Sequence, residues 1–121
     1  MLNIRDVIVG GDSPCFIIAE IGQNHQGEVE IAKKMIEKAK ECGVSCVKFQ
    51  KSSLTDRFTQ SALEAPYIGE NSFGKTYGEH RAHLEFSPEE FKMLQEYAEK
   101  TVGIMFTASC MDIVSKSFCN W

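Results

Sequence analysis

The stretch Cys15-Phe16-Ile17-Ile18-Ala19-Glu20-Ile21-Gly22-Gln23-Asn24-His25 decides how the rest of the chain is read. Apolar or small residues run without alternation into a carboxylate, then a glycine, then a polar trio, and an amphipathic stretch follows. An unalternating run of this length reads as a strand buried on both faces, as strands of parallel α/β sheets do. In barrels and doubly wound sheets the carboxyl ends of strands face the ligand crevice, so Glu20 and Gln23-Asn24-His25 stand where chemistry is expected.

Downstream, Ala32, Met35, Ile36, Ala39 and Cys42 recur at helical spacing, Glu30 and Lys34 make an i,i+4 pair, and Gly43 stands at the C′ position. The spacing predicts a helix over 28–42. Ser45 to Gln50 then reads as a second strand, which completes a βαβ unit with a right-handed crossover and parallel strands. Residues 51–86 show no sustained period and are punctuated by Pro66, Gly69, Gly74 and Gly78. Phe58, Tyr67, Phe73 and Tyr77 are too many aromatics for disorder, so the expectation is a long irregular excursion on the active-site side.

Ser87-Pro88-Glu89-Glu90 announces another helix, with a capping Ser, Pro at the first helical position and Glu at the third. Phe86 and Phe91 occupy the staple positions, and Phe91, Leu94, Tyr97 and Ala98 form the buried stripe. Gly103 to Thr107 reads as a third strand, and Ser109 or Asp112 as the cap of a third helix holding Ile113, Val114 and Phe118. At the other end, Val7-Ile8-Val9 before Gly10-Gly11 predicts a short strand or half-hairpin that plugs one end of the sheet. Strands near 16–20, 46–50 and 103–107 alternating with helices open a parallel α/β architecture, one domain over residues 1–121.

Composition narrows the function. A chain of 121 residues, 43% hydrophobic and 25% charged, is ordinary for a globular domain. Its net charge of -4, with no basic cluster longer than Lys33-Lys34, argues against nucleic acid as partner and favours a small polar substrate. No signal-peptide core and no apolar run of membrane-spanning length is present, so no membrane partner and a cytoplasmic location are expected. The five cysteines, without a Cys-x-x-Cys, read as reduced thiols.

Polar groups collect at the three strand ends: Glu20, then Lys48 with Gln50, then Thr107 with Ser109. Lys48 and Gln50 point to one side of their strand and Phe49 to the other. An acid or base, a cation and neutral hydrogen-bonding groups converging on one mouth suit an anionic, hydroxylated substrate. His25 reads as a loop-orienting residue, and His80 and His83 as members of an exposed charged loop rather than metal ligands. Gly74-Lys75 and Tyr77 carry no Walker or dinucleotide signature.

Residues 17–27 (IIAEIGQNHQG), 39–43 (AKECG), 48–52 (KFQKS), 74–80 (GKTYGEH) and 106–109 (FTAS), in that order, resemble the sialic acid synthases, most nearly the animal members that make N-acetylneuraminate 9-phosphate. The resemblance covers about residues 7–112. It implies a TIM (β/α)₈ barrel that condenses phosphoenolpyruvate with N-acetylmannosamine or its 6-phosphate, a divalent metal, Mg²⁺ or Mn²⁺, that polarises the aldehyde, and a homodimer for full-length members. Matched residue by residue, it makes Glu20 and Lys48 catalytic: Glu20 handles the aminosugar end and proton movement, and Lys48 contacts phosphoenolpyruvate. Thr107 joins Lys48 there, Gln50 hydrogen-bonds the sugar, and Asn24 and Ser109 complete the substrate-binding set.

The family's later strands, with its metal-binding histidines, have no counterpart here, so the expectation is the N-terminal three βα units of the barrel, a truncated piece inactive alone with the metal ligands absent. Two alternatives stand beside this: a class I aldolase in which Lys48 forms a Schiff base, and a non-catalytic interaction fragment that pairs through its open third-strand edge.

Overall fold

In chain order the computed structural model, which describes residues 1–119, contains β1 (Leu2–Ile4), β2 (Val7–Val9), β3 (Ile18–Gly22), α1 (Val29–Glu41), β4 (Cys46–Lys51), α2 (Leu54–Arg57), α3 (Gln60–Glu64), α4 (Tyr77–Leu84), α5 (Pro88–Glu96), β5 (Met105–Cys110) and α6 (Ile113–Phe118). Strands β3, β4 and β5 form a parallel sheet in that order, and β1 and β2 an antiparallel hairpin. The α/β class with a parallel sheet is as the sequence pattern predicts. Asn120 and Trp121 lie outside the described residues.

The alternation along β4 sorts the protein into two sides. Val47 and Phe49 are fully buried, and Phe49 stacks on Phe106 of β5 at 4.9 Å between ring centroids while Phe91 of α5 meets Phe106 edge-on at 5.3 Å. Ala32 and Ile36 of α1, Leu94 of α5 and Ala98 close this core against one face of the sheet. The opposite face carries Ile18, Glu20, Lys48, Gln50, Thr107 and Ser109, none of which is buried. Ile18 is 49% exposed. The first strand is therefore not buried on both faces as its apolar run predicts: its helix-facing side is packed and its other side is bare among the described residues. It also begins later and continues through Gly22, which puts Glu20 mid-strand.

The hairpin covers the amino-terminal end of the bare face. Ile4 and Arg5 enclose, with Phe16, Ile18, Cys46 and Met105, an apolar cavity of about 330 Å³, and Arg5 is tied to Glu99 at 2.8 Å.

Residues 51–86 differ from the expected irregular excursion, since they contain α2, α3 and α4. Thr76 caps α4 with a capping box: its hydroxyl accepts from the Glu79 N–H at 3.2 Å and the Glu79 carboxylate accepts from the Thr76 N–H at 3.2 Å. His80 and His83 thus lie on a helix, where Phe73 stacks on His83 at 4.2 Å and Tyr67 meets His80 in a tilted contact at 4.5 Å. The Ser87 box before α5 forms as predicted, and the helix continues as a π-helical stretch, Tyr97–Val102, ended by Gly103. Asp112, not Ser109, caps α6; it accepts from the N–H of Ser115 and of Ser53, both at 2.7 Å, and thereby ties α6 to the end of β4. Burial pushes the Asp112 carboxyl up, but these hydrogen bonds outweigh it and hold it below its ordinary value.

Candidate active site

The bare face is a grid set by strand register. Glu20 of β3 pairs with Lys48 of β4, and Lys48 with Thr107 of β5, so three polar side chains line up across the sheet. Gln50 and Ser109 form the next row toward the carboxyl ends. Equal register in a parallel sheet sends neighbouring side chains to the same face, and the two-residue period repeats the effect one row further.

Within this grid Lys48 Nζ lies 2.6 Å from Glu20 Oε2, with both side chains partly open to solvent. The register between β3 and β4 shifts between Glu20 and Gly22. A methyl group placed on Gly22 would sit 3.6 Å from Gln50 Nε2, 3.9 Å from Glu20 Oε1 and 4.0 Å from Asn24 Nδ2. Three of the expected site residues therefore surround one point, with Lys48 attached through Glu20. Asn24 is held by its amide, which donates to the Ile21 carbonyl at 2.9 Å. Thr107 and Ser109 share the face through register alone.

His25 turns away from this grid. Its ring is 1% exposed and stacks on Phe86 at 4.1 Å, and its Nδ1 accepts from the Gly27 N–H at 3.0 Å. Burial pushes the imidazole down to about 4, so it is neutral at pH 7 and shapes the loop rather than titrating in the site. Gly27 is confined too: a Cβ there would lie 2.1 Å from the His83 carbonyl oxygen, so the β3–α1 loop presses directly on the end of α4.

Lys51, Glu85 and Arg81 form a cluster that the strand-end reading passes over. Lys51 continues the helix-facing series of Val47 and Phe49, and is 6% exposed. A charge on a buried face needs a partner, which is the signal in the sequence that points to it. The partner is Glu85, 3.2 Å from Lys51 Nζ and 3.6 Å from Arg81 Nη2.

Among the described residues no group of three His, Cys, Asp or Glu side chains is placed to hold a metal ion. Glu20, the one acid of the grid, already engages Lys48. The donor set therefore does not fit a divalent metal by itself, and no step is assigned to one. All five cysteines are free thiols. No helix among the described residues is long and apolar enough to cross a membrane.

Comparison with known proteins places the chain in a family. The model of the NeuB family matches residues 35–120. The N-acetylneuraminate-9-phosphate synthase of Homo sapiens is 61% identical over 112 residues, which cover 93% of this chain and 31% of that protein. The Drosophila melanogaster protein of the same name is 54% identical over 119 residues, 97% of this chain and 32% of that one. The crystal structure of an N-acetylneuraminic acid (sialic acid) synthetase from Leptospira borgpetersenii, in complex with citrate, superposes with a TM-score of 0.74 at 29% identity, covering 98% of this chain and 36% of that one. The chain spans about a third of the length of these relatives. With the family's pattern running through most of its length and its fold reproduced in a solved relative, the chain belongs to the NeuB family.

Proposed function

We propose that residues 1–121 supply the first three βα units of a TIM-barrel synthase that condenses phosphoenolpyruvate with N-acetylmannosamine or its 6-phosphate, in sialic acid biosynthesis. The observation that carries the reading is the row Glu20–Lys48–Thr107 with Gln50 and Asn24 beside it, on the face that the helices leave bare. The relatives that bear synthase names support it.

In this reading the ammonium of Lys48 offsets the carboxylate and phosphate charge of phosphoenolpyruvate, with Thr107 donating a hydrogen bond from the adjacent strand. Binding the anion draws Lys48 from Glu20, which frees the carboxylate to accept from the aminosugar and to move a proton at its reacting end. Gln50 and Asn24, at the point above Gly22, orient the sugar hydroxyls, and Ser109 extends the row. The divalent metal of the reaction, Mg²⁺ or Mn²⁺, takes its protein ligands from outside this grid.

The Lys48–Glu20 pair also speaks against the aldolase alternative. A Schiff-base lysine is activated by apolar surroundings or by a neighbouring cation, and Lys48 has a carboxylate against it at 2.6 Å. The test uses the full-length protein that contains these residues, given phosphoenolpyruvate, each acceptor sugar in turn and Mn²⁺. The expected outcome is release of inorganic phosphate in step with a nine-carbon keto acid, and no adduct at Lys48 after borohydride treatment. Trapping of Lys48, or no product with either acceptor, would overturn the proposal.

A further inference from the structure

Gln23, flanked by Gly22 and Asn24 at the site, and Ser52, two residues past Gln50, are joined by one side chain from a distant part of the chain. Glu85 Oε1 accepts from Gln23 Nε2 at 2.9 Å, and Glu85 Oε2 accepts from the Ser52 N–H at 3.1 Å and from Lys51 Nζ at 3.2 Å. The Glu85 side chain is 10% exposed and that of Lys51 8%. Arg81, one helical turn before Glu85, adds its positive charge, with Nε and Nη2 buried and without a hydrogen-bond acceptor.

A buried ion pair contributes little to net stability, because desolvation cancels much of the attraction; its use is to make one arrangement of its surroundings much better than any other. Here the arrangement is the spacing between the β3–α1 loop and the end of β4. Both oxygens of the carboxylate are committed, one to each segment, so displacing either loop strands a buried charge or a buried N–H. The same loop is pressed from behind by the His83 carbonyl at Gly27 and by Phe86 under His25.

We infer that Glu85 is a positioning residue of the active site: it holds Asn24 and Gln50 at the separation that the acceptor sugar needs, although it touches neither substrate. The catalytic part of this inference rests on the synthase reading above, and the structural part stands apart from it. A misplacement of about 1 Å at a reacting centre costs about 100-fold in rate, which is the scale on which such a clamp matters.

The test compares Glu85→Gln and Gln23→Ala with the wild type in the full-length protein, by amide hydrogen exchange and steady-state kinetics. Gln23→Ala severs only the link to the loop and leaves the Lys51–Glu85–Arg81 charges paired, so it folds even where Glu85→Gln does not. The amides of Asn24, Gln26, Gly27 and Glu28, all hydrogen-bonded within the loop, should exchange at least about tenfold faster in both variants while those of Val47, Phe49 and Phe106 stay unchanged. The kcat should fall at least about tenfold, with KM for phosphoenolpyruvate held within about threefold, because Lys48 and Thr107 are set by the β3–β4–β5 strand pairing, which neither substitution cuts. Unchanged loop exchange in Gln23→Ala, or acceleration spread evenly over the core strands, would overturn the inference. Should the wild type form no product, the synthase reading fails and the exchange result still decides the role of Glu85.

Discussion

Lys48 and Glu20 hold each other at 2.6 Å in a partly open setting, and in the proposed reaction each trades its partner for a substrate group. Replacing one leaves the other with the wrong charge in the mouth. In the full-length protein Lys48→Ala and Glu20→Gln are expected to lower kcat/KM by about two orders of magnitude each, the usual cost of about 3 kcal/mol for losing a charged contact to the transition state. His83→Ala removes a ring that stacks on Phe73 and that the proposed reaction does not use, and should alter kcat/KM by less than about threefold. His25 sets a pH dependence of stability. Its folded value of about 4 lies below the unfolded 6.5, so the unfolded chain binds the extra proton first as pH falls. The stabilisation is complete above pH 6.5 and is lost toward pH 4, amounting to about 2 kcal/mol between pH 7 and pH 5. Urea midpoints at the two pH values should differ accordingly in the wild type, and the difference should shrink in His25→Gln.

The elements differ in how openly they announce themselves. Helices α1 and α5 bury a stripe, and β4 alternates Val47 and Phe49 against Lys48 and Gln50, so periodicity alone locates them. Helix α4 has no such stripe: its residues Tyr77 to Leu84 meet aromatics from several directions, and only Leu84 is buried. Its one local mark is Thr76-x-x-Glu79, a capping box of the kind that is plain before α5. Thr76→Ala should cost about 1 kcal/mol, read as a lower urea midpoint with loss of helical circular dichroism. Gly27→Ala should cost more, at least about 2 kcal/mol, because the new methyl meets the His83 carbonyl at 2.1 Å and the residue holds φ +79°. The site was half legible for the same reason. Strand ends and alternation point to Glu20, Lys48 and Gln50, whereas the contact of Glu85 with Gln23 joins positions too far apart for any local pattern to link.

Taken as one body, residues 1–119 present a packed side and a bare side, with β3 and β5 each paired to a single neighbour among the described residues. Ile17 and Ile18 stay half exposed, so each forgoes roughly half of the 1.5–3 kcal/mol of full burial, against a total stability of about 5–15 kcal/mol for a domain. Expressed alone, these residues are expected to bind ANS, to sediment as concentration-dependent oligomers through the open strand edges, and to show no metal-dependent condensation. A monomer with one sharp melting transition above about 45 °C and no ANS binding would contradict this.

The two-sidedness of β4 bears on inheritance as well as on folding. The bare face and the core occupy alternate codons of one short strand, Lys48 and Gln50 on one side, Val47, Phe49 and Lys51 on the other. A substitution at any of these positions damages one function at a time. Deleting a single codon upstream within the strand damages both, since it turns Phe49 toward the bare face and Lys48 into the aromatic stack. Lineages that keep this protein should therefore tolerate length changes between α2 and α4 far more readily than within Cys46–Lys51.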